Sequence, residues 1–355
     1  MKYTKELSAK YIGEVEHAVM AYSTDPQIRT GAASGGVVSA ILIHLLETSQ
    51  IDAAVVTRIK YGKKIDCEVI LAKTKQEILS ARTSKYIDVP VTREAVRLIK
   101  EFSGKVAIAA LPCHTTALRK LCEKDPQLAE KIKLIIALFC THSCDRYLLD
   151  AVIEKKGIDQ SKIVDFAFKR GWWRGKLEIA TEDGVQYSYP SSHFSRYHNL
   201  NFFCMGRCLR CHDHTGYDAD FSCGDAWLKE MKNNPIKHTI ILTRNKIATK
   251  IFDEMVQQKK LVSQDIETKT VFRAQKRSFI YHYNVTARSK VGKFYGVKIK
   301  DTVKTKVRWN DWLAAHIIMI NYKLSRNEKT RRWIMKIPRP IIYVYFLFLK
   351  FLQNF

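Results

Sequence analysis

The sequence predicts an α/β protein: mixed and parallel sheets flanked by helices, with a cysteine-rich loop and a basic, partly helical C-terminal extension. Three observations predict it. Two apolar runs, Val106–Leu111 and Lys133–Phe139, bracket a helical stretch, Thr115–Cys122. Strands apolar on both faces and joined by a helix form parallel βαβ units. A span of about 25 residues, Cys204 to Trp227, holds four of the nine cysteines, two histidines, four aspartates and three glycines. The last 80 residues, from Lys276, carry 18 Lys+Arg against three acids, +15 of the total +25.

The elements follow in order. "GAASGGVVSAILIHLLE" (Gly31–Glu47) reads as a small-residue turn opening a buried helix, with Ser34 as N-cap. Ile51–Ile59 and Cys67–Lys73 read as strands. Thr74 and Glu77 stand at capping-box spacing, and a helix over about Arg93–Phe102 follows. After the βαβ unit, "CDRYLLDAVIEKKG" continues as a helix. "IVDFAFKRGWW" and "KLEIATEDGVQYSYP" form β structure with a turn at Asp183-Gly184. Beyond the cysteine stretch, "HTIILTRN" is a strand and "KIATKIFDEMVQQK" a helix. The chain divides into segments 25–104, 105–275 and 276–355, the last boundary set by the charge shift near Gln275.

With 355 residues and 46% apolar composition, the chain is long enough for a sizeable core and is not disordered. Met1 to Tyr22 lacks the apolar run of an export signal. Nine cysteines without such a signal fit a reducing, cytoplasmic setting. There, clustered cysteines are more often metal ligands or redox groups than disulfides. The charge calls for an anionic partner. No nucleic-acid recognition motif accompanies it.

Cys204, Cys208, Cys211 and Cys223 are a plausible four-ligand set. The C-x2-C pair suits zinc, but the other pair has the wrong spacing for a ribbon or finger. Cys204-x3-Cys208-x2-Cys211 has radical-SAM spacing, yet only 144 residues follow Cys211, too few for that barrel. An iron–sulfur cluster takes thiolates from distant segments. Cys113 and Cys140 end the two apolar strands, where open α/β sheets bind ligands. Cys113 also precedes a helix N-terminus, a position that favours thiolate. Cys67 and Cys122 lie within strand and helix patterns and read as inert.

"RTGAASGGVVSAIL", "SKYI", "LPCHTTALRKL", "LFCTHSC" and "CLRCHDHTGYDADFSCGDAWL", in this order over about Arg29–Gln275, resemble the beta-subunit family of coenzyme F420 hydrogenases and dehydrogenases. Many bacterial members of that family occur beside polysaccharide biosynthesis genes. The resemblance implies an iron–sulfur flavoprotein oxidoreductase. It would pass electrons between a [4Fe–4S] cluster and FAD, then to a small organic or deazaflavin acceptor of the coenzyme F420 type. It makes Cys113, Cys140, Cys208 and Cys211 cluster-ligand candidates, with Cys204 and Cys223 as additional metal candidates that leave the set, and a second cluster, open. It places Ser34, Gly35 and Gly36 against FAD, where small residues and a helix start admit phosphate. Ser84, Lys85 and Tyr86 form a further cofactor-binding group, with Lys85 neutralising pyrophosphate or tuning the flavin. Gly224 and Asp225 close the motif, Asp225 facing the flavin, and His114 is a proton-relay candidate. No cysteine precedes Cys67, so the expected electron donor is a separate ferredoxin-like protein, steered by the basic surface.

The tail Lys336–Phe355 contains nine consecutive apolar residues, Ile341–Leu349, too few to span a bilayer. With Arg331, Arg332, Lys336 and Arg339 upstream, it predicts either peripheral contact with the inner face of a membrane or a helix docked on protein. The alternative to an enzyme is a non-catalytic metal-binding scaffold of a membrane-associated biosynthetic complex.

Overall fold

A computed structural model describes residues 3–172 and 175–354. Eight strands form one mixed sheet: β1 (His17–Ser23), β2 (Ala53–Lys60), β3 (Asp66–Ala72), β4 (Val106–Ala110), β5 (Ile132–Leu138), β9 (Phe221–Asp225), β10 (Thr239–Thr243) and β11 (Leu261–Asp265). Their order is β11-β1-β10-β9-β5-β4-β2-β3. The run β2, β4, β5, β9 is parallel; β3 and the β10, β1, β11 side pair antiparallel. The three remaining strands, β6 (Ile163–Arg170), β7 (Lys176–Thr181) and β8 (Gln186–Pro190), form a separate antiparallel sheet. Gly184, at φ 82°, makes the expected turn between β7 and β8.

The central strands are apolar throughout because both faces are covered. Val55, Ile108, Ile135 and Ala137 join one core, while their neighbours Ala54, Ala107, Leu134 and Ile136 join another. That is the period-two alternation of a strand buried on both sides. Helix Val37–Glu47 and helix Lys246–Gln257 contribute to the second core, and helices Val91–Glu101 and Pro112–Cys122 to the first.

The Thr74–Glu77 capping box forms as expected. Ser34 does not cap its helix. That N-cap is Gly36 in the left-handed region, and the Ser34 hydroxyl instead donates to the His238 carbonyl (2.7 Å). The sheet joins strands from both sides of residue 104. Helix Thr268–Tyr283 crosses the expected composition boundary and kinks at Gln275. Helices Val285–Gly292, Trp309–Leu324, Glu328–Lys336 and Arg339–Asn354 complete the C-terminal extension. Among the described residues, no helix is long and apolar enough to cross a membrane.

Candidate metal centre

Four thiols approach one another at the carboxyl ends of the parallel strands. Cys113 lies in the first turn of helix Pro112–Cys122, which begins just after β4. Cys140 follows β5, its N–H donating to the His214 carbonyl (3.0 Å). Cys208 and Cys211 come from the short helix Gly206–Arg210 and its C-cap. Burial raises the Cys140 thiol well above its usual range, and Cys208, Cys211 and Cys113 push it the same way. Burial likewise lifts Cys211 to about 12, with Cys208 and Cys113 adding to it. The expected thiolate at Cys113 is not favoured. Desolvation around its sulfur and the nearby Cys208 raise that thiol, although the residue as a whole opens to solvent, and Arg207 only partly opposes them.

Cys204 leans on the group from one side. Its thiol donates to Cys208, which draws Cys208 down while burial raises Cys204. The N–H of Ser143 also donates to the Cys208 sulfur (3.4 Å). Cys223 stands apart. It packs with Phe221 and Ile241 in the core on the sheet face opposite Cys204 and Cys208, and burial alone lifts its thiol to about 12.

The other residues of the dense stretch hold the loop in shape. Asp213 accepts the N–H groups of Thr215 (3.0 Å), Gly216 (2.7 Å) and Tyr217 (3.3 Å). Asp220 accepts from Ile135 N–H (2.7 Å) and the Arg119 guanidinium (2.8 Å). A Cβ on Gly224 would overlap the Phe139 ring, so that glycine admits an aromatic side chain rather than a ligand.

The C-terminal extension supplies a wall that the sequence reading did not assign. Tyr281 OH donates to the Cys208 carbonyl (3.1 Å). The two ring nitrogens of His282 lie 3.0 Å and 2.9 Å from the carbonyl oxygens of Cys211 and Cys140. Arg288, fully buried, donates through Nε to the Leu209 carbonyl (2.9 Å), and Arg326 donates to the Cys204 carbonyl. On the opposite side Arg207 pairs with Asp88. His114 Nδ1 lies 2.8 Å from Thr92 Oγ1, and burial, then Arg207, lowers its pKa to about 4.

The small-residue turn is built by packing. A Cβ on Gly35 would stand 2.7 Å from the Ala21 carbonyl oxygen, and the Gly35 N–H donates to Thr239 Oγ1 (3.0 Å). The helix that follows has no side-chain cap, so its first-turn N–H groups stay available to an anion. Lys237 Nζ donates beside it, to the carbonyls of Ala32 (2.7 Å) and Ala33 (3.1 Å). Lys85 is engaged elsewhere. It donates to the carbonyls of Ala81, Arg82 and Thr83, closing the end of helix Lys75–Ser80. Ser84, next to it, is half-buried, and Tyr86 packs edge-on against Phe168 and His198. Beside the turn, where Asp225 pairs with Thr239, Lys169 Nζ donates to Asp225 Oδ2 (2.6 Å) and lies 4.6 Å from the Trp227 ring centroid.

A second donor group escaped the sequence reading because its members are far apart in the chain. His142, Cys144 and His198 bring three ligand-type atoms within 4.8 Å of one another. The two rings stack at 3.9 Å, each Nε2–H donating to the other's carbonyl (2.9 and 3.1 Å), which leaves both Nδ1 atoms as acceptors.

An α/β protein with a thiol donor set at its strand ends has the donors a metal ion or an iron–sulfur cluster takes. Residues 18–93 match the N-terminal family model of the coenzyme F420 hydrogenase/dehydrogenase beta subunit, and residues 103–269 match the C-terminal one. The chain belongs to this family of oxidoreductase subunits. It is 30% identical over 238 residues to an F(420)H(2) dehydrogenase chain of Methanosarcina mazei, covering 66% of this chain and 62% of that protein. It is 26% identical over 253 residues to the coenzyme F420 hydrogenase beta chain of Methanothermobacter thermautotrophicus, covering 69% of this chain and 83% of that one. A coenzyme F420-dependent sulfite reductase of Methanocaldococcus jannaschii matches at 31% over 205 residues, 54% of this chain but 30% of the reductase. The fold is that of a chain in the F420-reducing [NiFe] hydrogenase complex from Methanosarcina barkeri, with TM-score 0.63, 19% identity and coverage of 81% and 97% of the two chains.

Proposed function

We propose that this chain is an iron–sulfur electron-transfer protein in which Cys113, Cys140, Cys208 and Cys211 hold a [4Fe–4S] cluster. The observation that carries it is the convergence of these four thiols from the ends of two parallel strands and one loop. Four thiolates are the donor set such a cluster needs. A cluster there would supply one-electron transfer, and FAD beside it two-electron chemistry. The uncapped start of helix Val37–Glu47 and Lys237 fit the flavin's pyrophosphate, and the buried Lys169–Asp225 pair lies near Lys237. On this reading Arg207, Tyr281, His282 and Arg288 position the ligand loops. Electrons come from an acidic, ferredoxin-like protein drawn to the basic surface, and leave on a small organic or deazaflavin acceptor.

Anaerobic purification with iron, sulfide and flavin quantified tests it. About four irons and four sulfides per chain, with bound flavin, are expected. Each of Cys113→Ser, Cys140→Ser, Cys208→Ser and Cys211→Ser loses iron, while Cys223→Ala keeps it. Zinc without flavin or sulfide overturns the proposal.

A further inference from the structure

The helix Arg339–Asn354 has one face against the protein and one without cover. Ile342, Leu349 and Leu352 are buried. Asn310 Nδ2 donates to the Leu352 carbonyl (2.8 Å), and Tyr345 OH to Asn321 Oδ1 (2.8 Å), pinning the helix against Trp309–Leu324. On the outer side, Ile341, Val344 and Phe348 are 58%, 65% and 51% exposed. Their spacing of three and four residues is one stripe of a helix. An apolar face of this density on a soluble surface marks an interaction site.

A small cavity opens where this helix begins. Lys155, Lys156, Ser192, His193, Arg196 and Arg339 line it. Lys155 Nζ donates to the Met335 carbonyl (2.6 Å) and Lys156 Nζ lies 4.2 Å from the Tyr189 ring centroid, and among the described residues none of the four cations has a carboxylate ion pair. Burial and then Arg339 depress both lysines. His193 is held down to about 4 by burial and then by Lys156, Arg339, Arg196 and Lys155. Arg196 stacks 4.4 Å over the ring of Tyr343, which joins the cavity to the exposed stripe.

We propose that this helix lies in the interface of an anionic membrane, its Ile341–Phe348 stripe among the acyl chains and the Lys155–Arg339 cavity on a lipid phosphate. One lipid molecule supplies both complements, a phosphate for four cations and hydrocarbon for the stripe beside them. At 1.5 Å per residue the helix is about 24 Å long, fit to lie on a bilayer rather than cross it. A second copy of the chain would present the same positive charge to itself, since residues from Lys276 onward carry +15. An anionic surface gains from that charge.

The test is co-sedimentation of the full chain with phosphatidylcholine vesicles, with and without phosphatidylglycerol. Binding to the anionic vesicles that weakens with salt, and little binding to neutral ones, is expected. Lys156→Gln with Arg339→Gln should weaken it roughly 30-fold, at about 1 kcal/mol per cation. Val344→Glu with Phe348→Glu should abolish it, with an unchanged thermal midpoint showing that the fold is intact. Three results overturn the proposal: equal binding by the apolar variant; no vesicle binding but thermal protection by inorganic phosphate that the cation variant loses, which leaves a free-anion site; and no vesicle binding with self-association that the apolar variant removes, which assigns the face to a second copy.

Discussion

The Nζ of Lys169 lies 2.6 Å from Oδ2 of Asp225, and the lysine side chain is 5% exposed. Burial opposes the ammonium, but Asp225 and then Tyr86 outweigh it, so the Lys169 pKa is raised. Asp225→Asn keeps the shape and leaves a buried cation without its counter-charge. The expected cost is roughly 3 kcal/mol, read from the urea midpoint. Lys169→Met with Asp225→Asn recovers part of it. A raised lysine pKa contributes stability that is complete below the unfolded value, about 10.4, and is lost as pH rises through the folded one. Wild type should therefore lose stability above about pH 10 more steeply than Lys169→Met.

Lys237 behaves in the opposite sense. Burial, then Lys169, lowers its pKa to about 8, and burial lowers Lys85 to about 8 as well. Between about pH 8 and 10.4 the unfolded chain binds protons that the folded chain does not. Stability contributed by these two sites therefore rises with pH across that window. Two lysine side-chain resonances should titrate near pH 8 in an NMR experiment, and Lys237→Met should remove one. Midpoints above 10 for both would contradict the burial assigned to them.

Legibility followed the range of the interactions. β4, β5 and helix Pro112–Cys122 between them were readable because their signals are local: apolar runs and a βαβ rhythm. β1, β9 and β11 were not, since β9 is written inside the cysteine motif, and β11 at the sheet edge alternates burial only weakly. Ser34 looked like an N-cap because residues near it in the chain permit that; its hydroxyl partner, His238, lies 204 residues away. The wall of Tyr281, His282 and Arg288 was invisible for the same reason. Nothing in the basic composition of that segment indicates that Tyr281 and Arg288 reach back 73 and 79 residues to the cysteine loop.

Gly216 and Gly184 separate two costs. Both have a left-handed backbone, φ 83° and φ 82°. A Cβ on Gly216 would overlap that of Ala137 on β5, whereas Gly184 faces open space. Gly184→Ala should cost about 1 kcal/mol, the backbone contribution alone. Gly216→Ala should cost about 3 kcal/mol, adding the displacement of a packed strand. It should also reduce iron retention, because the same loop carries Cys211. Equal costs in denaturant melts would remove the packing argument.

Arg288 is fully buried, and its Nη2 has no hydrogen-bond partner. Its guanidinium stacks 3.9 Å over the Tyr281 ring and donates to the Leu209 and Tyr281 carbonyls (2.9 and 2.6 Å). Burial lowers its pKa, and the groups opposing that are Tyr281, Cys204, Cys211 and Cys208 rather than any carboxylate. A buried cation without a carboxylate is stable where other negative charge faces it, and on the proposed cluster the ligand thiolates would supply that charge. A fixed positive charge beside a redox centre favours the added electron. On the proposed cluster, Arg288→Met should therefore make the reduction potential more negative, while Arg288→Lys keeps most of it, both read by spectroelectrochemical titration. Iron content should survive Arg288→Lys and fall in Arg288→Met. An unmoved potential in Arg288→Met with full iron content would reduce Arg288 to a brace for the Leu209 and Tyr281 carbonyls.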